Sequence, residues 1–390
     1  MKFEFATATR IIFGPGSIQQ AGPLAAQIAS SAFVVTGRSI ERAKPLLEQL
    51  SIHRVKYVTF SVPAEPTTAI AKQAVRQARQ TKAALVIAVG GGSALDTAKV
   101  VASMLTNSGE LEDYLEVVGK GKPLTQAPIP YIAIPTTAGT GAEVTNNAVL
   151  GVPQYHRKVS MRSPLMLPYL ALVDPELTYS MPPALTASTG LDALTQLLEV
   201  YVSSKANPLT DAVCKEGLKR AARSLRLAYE NGANHAARQD MALASLFSGL
   251  ALANAKLGAV HGLAGPLGGL IAAPHGVICA RLLPCVMHAN VNALLNREPH
   301  SPALARFDDI AQILTGSLTA KALDAVVWVS SLCSVLKVPP LDESGLKEKD
   351  FPAIVADSGK SSSMKGNPIE LTDRELIVVL KKACKQNAWF

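Results

Sequence analysis

The hydrophobic pattern along the chain changes character once, near residue 180. Before that point, short apolar runs alternate with stretches of helical periodicity. "SAFVVTG" (31–37), "ALVIAVGGG" (84–92) and "IPYIAIPTT" (129–137) are β-branched and apolar, and each is closed by Gly or Thr. Runs of this kind read as strands buried on both faces. Between the first two, "RAKPLLEQL" (42–50) and "TTAIAKQAVRQARQ" (67–80) repeat apolar residues at helical spacing. Buried strands separated by helices predict an open parallel sheet with helices on both faces. "LALVDPELTYSMPP" (170–183) reads as a last strand that runs into a Pro-rich linker.

After 182 the β-rich runs stop. Ala- and Leu-rich helical pattern fills 184–203, 206–229, 235–263, 275–296, 301–315, 319–337 and 371–386. The expected fold class is an α/β N-terminal domain with a parallel sheet of the dinucleotide-binding kind (1–181), followed by an all-α C-terminal domain (182–390). A chain of 390 residues is long enough for two cores of ordinary size.

Composition narrows the setting. The chain is 48% hydrophobic, with mean hydropathy +0.21. Its least polar stretch, "LGAVHGLAGPLGGLIAAP" (257–274), carries His261, Pro266 and several glycines, which suits closely packed helices better than a membrane span. The start, "MKFEFATATRIIFGPG", lacks the basic-then-apolar order of a signal peptide, so a cytoplasmic protein is expected. The five Cys (214, 279, 285, 333, 384) are odd in number and scattered, and read as buried thiols rather than a disulfide framework. The net charge of +8 is dispersed and comes with no nucleic-acid-binding motif. It suits an anionic cofactor or substrate instead.

Two glycine-rich turns carry the binding chemistry. In "AVGGGSALDTAKVVASML" (88–105), a buried strand passes through Gly90, Gly91 and Gly92 into a helix. Glycine lets backbone amides approach a ligand closely, and a helix N-terminus favours phosphate. Ser93 is expected to cap that helix, with Asp96 in its first turn. "PTTAGTGAEVT" (135–145) ends another strand and offers Thr136, Thr137 and Thr140. Such loops at strand carboxyl ends face the crevice where open α/β sheets bind ligands. The strand at 32–36 ends in Gly37, Arg38 and Ser39, with no acid before Glu41. An acid there would hold the ribose 2′-OH of NAD, whereas Arg38 suits the 2′-phosphate of NADP, so NADP(H) is favoured over NAD(H).

Taken together, "GGGSALDTAK" (90–99), "IPTTAGTGAEVT" (134–145), "ALVDPELTYSMPPALTASTGLDALTQLLE" (171–199) and "NAKLGAVHGLAGPLGGLIAAPHG" (254–276) resemble the motifs of the iron-containing (group III) alcohol dehydrogenases. The resemblance implies a dinucleotide domain, a helical domain, an active site in the cleft between them, and at least a dimer. It implies a divalent ion held by one Asp and three His. Asp192, His261 and His275 match three of those ligands, while Gln196 occupies the fourth position. Two further histidines of the family are replaced here by Gly265 and Cys285.

Asp192 and Gln196 stand at i, i+4 on one helix face. Three good ligands suffice for a catalytic zinc, and Gln196 can add a weaker carbonyl oxygen. Zinc or iron is expected, and loss of an imidazole favours iron less. The resemblance implies hydride exchange between NADP(H) and a small aldehyde or alcohol, as an aldehyde reductase. In a metal-free variant of the same reaction, His261 or His275 would hydrogen-bond the carbonyl oxygen as acid–base. A lyase of the dehydroquinate-synthase type and a non-catalytic dinucleotide-binding protein stay open as rival readings. No membrane or nucleic-acid partner is expected. Small residues near the ligands, Ala264, Gly265, Leu267 and Ala272, suggest a roomy pocket.

Overall fold

The computed structural model describes residues 2–385. In chain order its strands are β1 (Arg10–Phe13), β2 (Ser31–Thr36), β3 (Lys56–Ser61), β4 (Leu85–Gly90), β5 (Tyr131–Pro135), β6 (Asn147–Val152), β7 (Arg157–Arg162) and β8 (Leu170–Val173). Six form one all-parallel sheet in the order β1-β8-β5-β4-β2-β3, and β6 and β7 make a separate antiparallel hairpin. Helices α1 (Ala21–Ile28), α2 (Lys44–Ile52), α3 (Thr68–Thr81), α4 (Gly92–Met104) and the one-turn α5 (Leu111–Tyr114) accompany them.

The alternation of side chains along each strand builds two cores. On β2, Phe33 and Val35 pack with Ala71 and Ala74 of α3 and Ala98 and Val101 of α4. Ala32 and Val34 pack on the opposite face with Ala21 and Ala25 of α1 and Leu46 and Leu50 of α2. The chain therefore leaves β2 toward one face and leaves the neighbouring β4 toward the other. Their carboxyl ends flank a switch in strand order, where such sheets bind ligands.

The sequence pattern did not reveal β3 or the β6–β7 hairpin. In β3 three residues in a row, Lys56, Tyr57 and Val58, are exposed, because the strand lies at the sheet edge and lacks an apolar run. The hairpin buries Ala148, Leu150, Val152, Val159 and Met161 in the core shared with α3 and α4, and polar side chains pin it to α4 as well. Asp96 Oδ2 accepts from Val149 N (2.9 Å), and Lys99 Nζ donates to Thr145 Oγ1 (2.7 Å) and the Asn147 carbonyl (2.8 Å).

The second unit is helical: α6 (Pro183–Val202), α7 (Pro208–Glu230), α8 (His235–Asn254), α9 (Ala259–Leu270), α10 (His275–Arg297), α11 (Pro302–Thr315), α12 (Ala322–Val335), α13 (Phe351–Ser358) and α14 (Asp373–Ala383). By compactness the chain divides into Ala6–Thr137 with Gly141–Ser180, and a second unit that runs from Met181 and also takes in Ala138–Thr140 and the residues up to Phe5. The single helix expected over 235–263 is in fact two, α8 and α9, bent by 96° at the break. Gly258 sits at that break because a Cβ there would lie 2.8 Å from Asn367 Oδ1 and 3.0 Å from Glu199 Oε1. α10 is long and apolar enough to cross a membrane, but 78% of its most apolar window is buried within the protein.

Glu143 lies just beyond the second glycine-rich turn and is buried. Burial pushes its carboxyl from 4.5 up to about 7, against a smaller opposing pull from its own backbone hydrogen bond and Lys99. The folded chain thus holds this proton more tightly than the unfolded chain. The associated stability is full below about pH 4.5 and is lost as pH rises through about 7. Glu143→Gln is expected to lack this loss, a difference on the order of 3 kcal/mol by about pH 8. Melting temperatures of variant and wild type across that range check it, and parallel curves would refute it.

Candidate active site

In the α/β unit, the glycine turns meet as the sequence suggested. Gly90 ends β4, Gly91 precedes α4 and Gly92 begins it. A Cβ on Gly90 would fall 2.7 Å from Ala94 Cβ and 3.1 Å from Gly37 N, so the turn after β2 lies against the turn after β4. Thr136 N donates to the Gly90 carbonyl (2.9 Å), and Thr137 lies 3.3 Å from where a Gly91 Cβ would stand. Gly37 faces open space, and Arg38 and Ser39 are exposed beside it. No side chain caps α4, which leaves its first amides available to an anion. The turns at the ends of β2, β4 and β5 bring glycine backbone beside the uncapped start of α4, a chemistry suited to phosphate.

Two details differ from expectation. Ser93 lies inside the first turn of α4 rather than ahead of it, so it does not cap; its carbonyl accepts from Thr97 Oγ1 (2.8 Å). Asp96 falls beyond the first turn, with its oxygens turned to Val149 N and Lys99, a fastening for the β6–β7 hairpin.

In the helical unit, α6 supplies Asp192, Gln196 and Glu199, which share one face at i, i+4 and i+7. All three are buried. His261 enters from the first turn of α9, and His275 begins α10. Asp192 Oδ1 lies 3.5 Å from His261 Nε2 and 3.7 Å from His275 Nε2. Cys279, one turn after His275, places its Sγ 3.7 Å from His261 Nε2 and 3.5 Å from His275 Nε2. The four donor atoms of Asp192, His261, His275 and Cys279 lie within 4.8 Å of one another.

Glu199 sets the direction of His261. Its Oε2 accepts from His261 Nδ1 (2.5 Å), and its Oε1 accepts from Val260 N (2.7 Å) at the start of α9. With Nδ1 held by the carboxylate, the ring turns its Nε2 to Asp192 and Cys279. Asn367 Oδ1 accepts from the adjacent Ala259 N (3.0 Å), which completes the cap of α9. Gln196 Nε2 donates to Asp192 Oδ2 (3.4 Å), so Oδ1 alone faces the histidines.

Asp192 Oδ1 is buried and has no hydrogen-bond donor. A carboxylate oxygen in that state calls for a cation. The donor set around it, one carboxylate and two imidazoles, fits a divalent transition metal. Burial raises the Asp192 pKa, but the His275 and His261 charges outweigh it and hold the carboxyl low. For His261, burial acts downward and is outweighed by Cys279, Glu199 and Asp192, which raise it well above the ordinary imidazole value. His275 is raised too, by Cys279 and Asp192 against its burial.

Other positions read as follows. Cys285 is a buried thiol whose pKa burial pushes to about 12, and it contacts the Arg281 carbonyl. Gly265, one turn beyond His261 on α9, has nothing within 4 Å of its would-be Cβ. Ala264 and Leu267 point into the core instead, so only Gly265 and the exposed Ala272 remain as sources of room. Sequence reasoning overlooked Glu199 and Cys279. Each had a signal: Glu199 is seven residues past Asp192, and Cys279 four past His275.

Because Glu199 orients a ligand through its outer nitrogen, Glu199→Gln is expected to weaken divalent-metal affinity by roughly 10–100-fold while leaving the fold intact. Competition against a chromophoric chelator measures this. Unchanged affinity would remove Glu199 from the site.

Comparison with known proteins bears on this arrangement. The family profile described as "Iron-containing alcohol dehydrogenase" matches residues 8–175, and that of the "Fe-containing alcohol dehydrogenase family, C-terminal" matches residues 186–384. The chain is 37% identical over 383 residues to alcohol dehydrogenase 4 of Schizosaccharomyces pombe, covering 95% of this chain and 87% of that one. The crystal structure of a 1,3-propanediol oxidoreductase superposes with a TM-score of 0.90 at 32% identity, covering 98% of this chain and 100% of the other. Sulfoacetaldehyde reductase from Bifidobacterium kashiwanohense, solved in complex with NAD+, superposes with a TM-score of 0.87 at 27% identity, over 99% of this chain and 100% of that one.

Proposed function

The chain belongs to the iron-containing alcohol dehydrogenase family, and on that premise we propose that it interconverts an alcohol and an aldehyde or ketone with NADP(H), working as an aldehyde reductase. The observation that carries this reading is the orphaned Asp192 Oδ1 facing both imidazole Nε2 atoms. Asp192, His261 and His275 would hold a divalent ion. When bound, such an ion polarises a carbonyl or favours ionisation of an alcohol, and the nicotinamide gives or takes the hydride.

The chain's own residues do the rest. Glu199 and Gln196 fix the ligand orientations before substrate arrives, which limits reorganisation during reaction. Gly265 leaves the helix face beyond His261 open for the substrate body. His275, whose side chain is 34% exposed, marks the side from which a small molecule can enter. The glycine turns hold phosphates. The choice of NADP(H) rests on Arg38, a cation at the end of β2 where no acid precedes Glu41. Lys256 and Arg281 are the only Lys or Arg residues in 254–285, and Arg281 is held by the carbonyls of Ala383 and Lys385, which disfavours an acid-phosphate lyase. The reading includes a cytoplasmic homodimer, with the outer edge of β1 as one surface open to pairing.

Protein purified without added metal is expected to hold close to one equivalent of divalent ion per chain and to lose aldehyde reduction on chelation. Asp192→Ala should abolish turnover yet keep cofactor binding. Full activity after chelation would sink the metal-dependent reading and turn attention to the histidines as acid–base groups. Arg38→Ala should weaken NADPH by roughly 10–100-fold, matching the ~1.5–3 kcal/mol of a charge-assisted contact, with little change for NADH. Titrations with both cofactors test this, and equal effects would remove Arg38 from the cofactor site.

A further inference from the structure

We propose that Cys279 is itself a metal ligand, as a thiolate, and that it replaces the imidazole absent at Gln196 to make an Asp/His/His/Cys centre selective for zinc. The inference rests on the reading of Asp192, His261 and His275 as a metal site and goes beyond it in the fourth donor and in the identity of the ion.

Geometry carries the argument. For a tetrahedral zinc with bonds of about 2.0–2.1 Å to N or O and 2.3 Å to S, neighbouring donor atoms stand roughly 3.3–3.6 Å apart. The distances here are 3.5 and 3.7 Å from Asp192 Oδ1 to the two Nε2 atoms, and 3.7 and 3.5 Å from Cys279 Sγ to the same two atoms. Cys279 closes the figure from α10, at i+4 from His275 on the same helix face. Gln196 turns its amide nitrogen to Asp192 Oδ2 and leaves its Oε1 buried without a partner, but a neutral carbonyl oxygen is a weaker donor than a thiolate.

The orientation of the donor atoms points the same way. Glu199 holds the Nδ1 side of His261, which leaves Nε2 as the ring atom turned to Asp192 and Cys279. Asp192 Oδ1 has no donor. A divalent ion satisfies all four atoms at once. Cys279 is fully buried, and its sulfur meets the two imidazoles, so the packing holds it at this spot.

The chemistry then selects the ion. Thiolate is a soft donor, and a mixed sulfur–nitrogen set suits zinc better than ferrous iron. One carboxylate and one thiolate also neutralise the charge of a divalent ion, whereas one carboxylate with three imidazoles leaves it at +1.

Cobalt(II) reports sulfur ligation directly. Wild-type protein loaded with cobalt(II) alone is expected to show visible ligand-field bands of a four-coordinate site together with an intense sulfur-to-metal band in the near ultraviolet. Cys279→Ser should lose the near-ultraviolet band, keep weaker visible bands, and bind zinc at least about tenfold less tightly, a loss no smaller than that for a supporting residue. Cys285→Ser, at another buried thiol, should keep every feature. X-ray absorption of the zinc-loaded wild type, which needs no variant, should show one sulfur scatterer. Visible bands without the near-ultraviolet band in the wild type would overturn the thiolate while leaving the Asp/His/His site standing. A near-ultraviolet band that survives in Cys279→Ser would overturn it too. Failure of the wild type to bind cobalt or zinc at all would overturn both.

Discussion

A carboxylate oxygen buried without a donor is the atom around which the helical unit is organised. Removing an anion from water costs several kcal/mol unless positive charge or hydrogen bonds replace the lost hydration. Asp192 meets that demand with two imidazoles from two other helices. α6, α9 and α10 must therefore converge at one point. The right-angle break between α8 and α9 is what brings His261 there, and Gly258 permits the break by keeping clear of Glu199 and Asn367.

Around this point the protein uses neighbouring carboxylates for different tasks. Asp192 faces the Nε2 atoms of His261 and His275, while Glu199, two turns along the same helix, faces the rear of His261 and the first amides of α9. Glu199 thus ties the cap of a helix to the orientation of a ligand. Gln196 between them supplies a hydrogen bond to Asp192 Oδ2 that an imidazole would make differently. The loss of one family histidine and the arrival of a sulfur on α10 read as one change in the coordination shell, made from two helices.

The α/β unit follows separate physics. Its binding surface is mostly backbone, so glycine is required where the turns after β2 and β4 touch. Polar side chains that looked available for a ligand turn out to hold the scaffold. Asp96 and Lys99 fasten the β6–β7 hairpin to α4, and their burial is tolerable because each finds partners from a distant segment.

Much of this was legible in the chain itself. β2, β4, β5 and β8 and most of the helices from α6 onward announced themselves by periodicity, though the short α13 did not, because burial on a fixed face leaves a repeating apolar pattern only over several turns. The glycine turns, Asp192, His261 and His275 were marked by motif. β3 was not, since an edge strand carries no apolar run, nor was the α8–α9 break, since both arms share one helical composition. Ser93 as a cap and Asp96 as a first-turn acid failed because a shift of one turn start reassigns every position after it. Glu199 and Cys279 stayed hidden for a deeper reason. Periodicity places a residue on a face of its own helix but cannot say what the neighbouring helix brings to that face. Only the crossing of α6, α9 and α10 decided that a glutamate would stand behind His261 and that a sulfur would complete the ring of donors around Asp192.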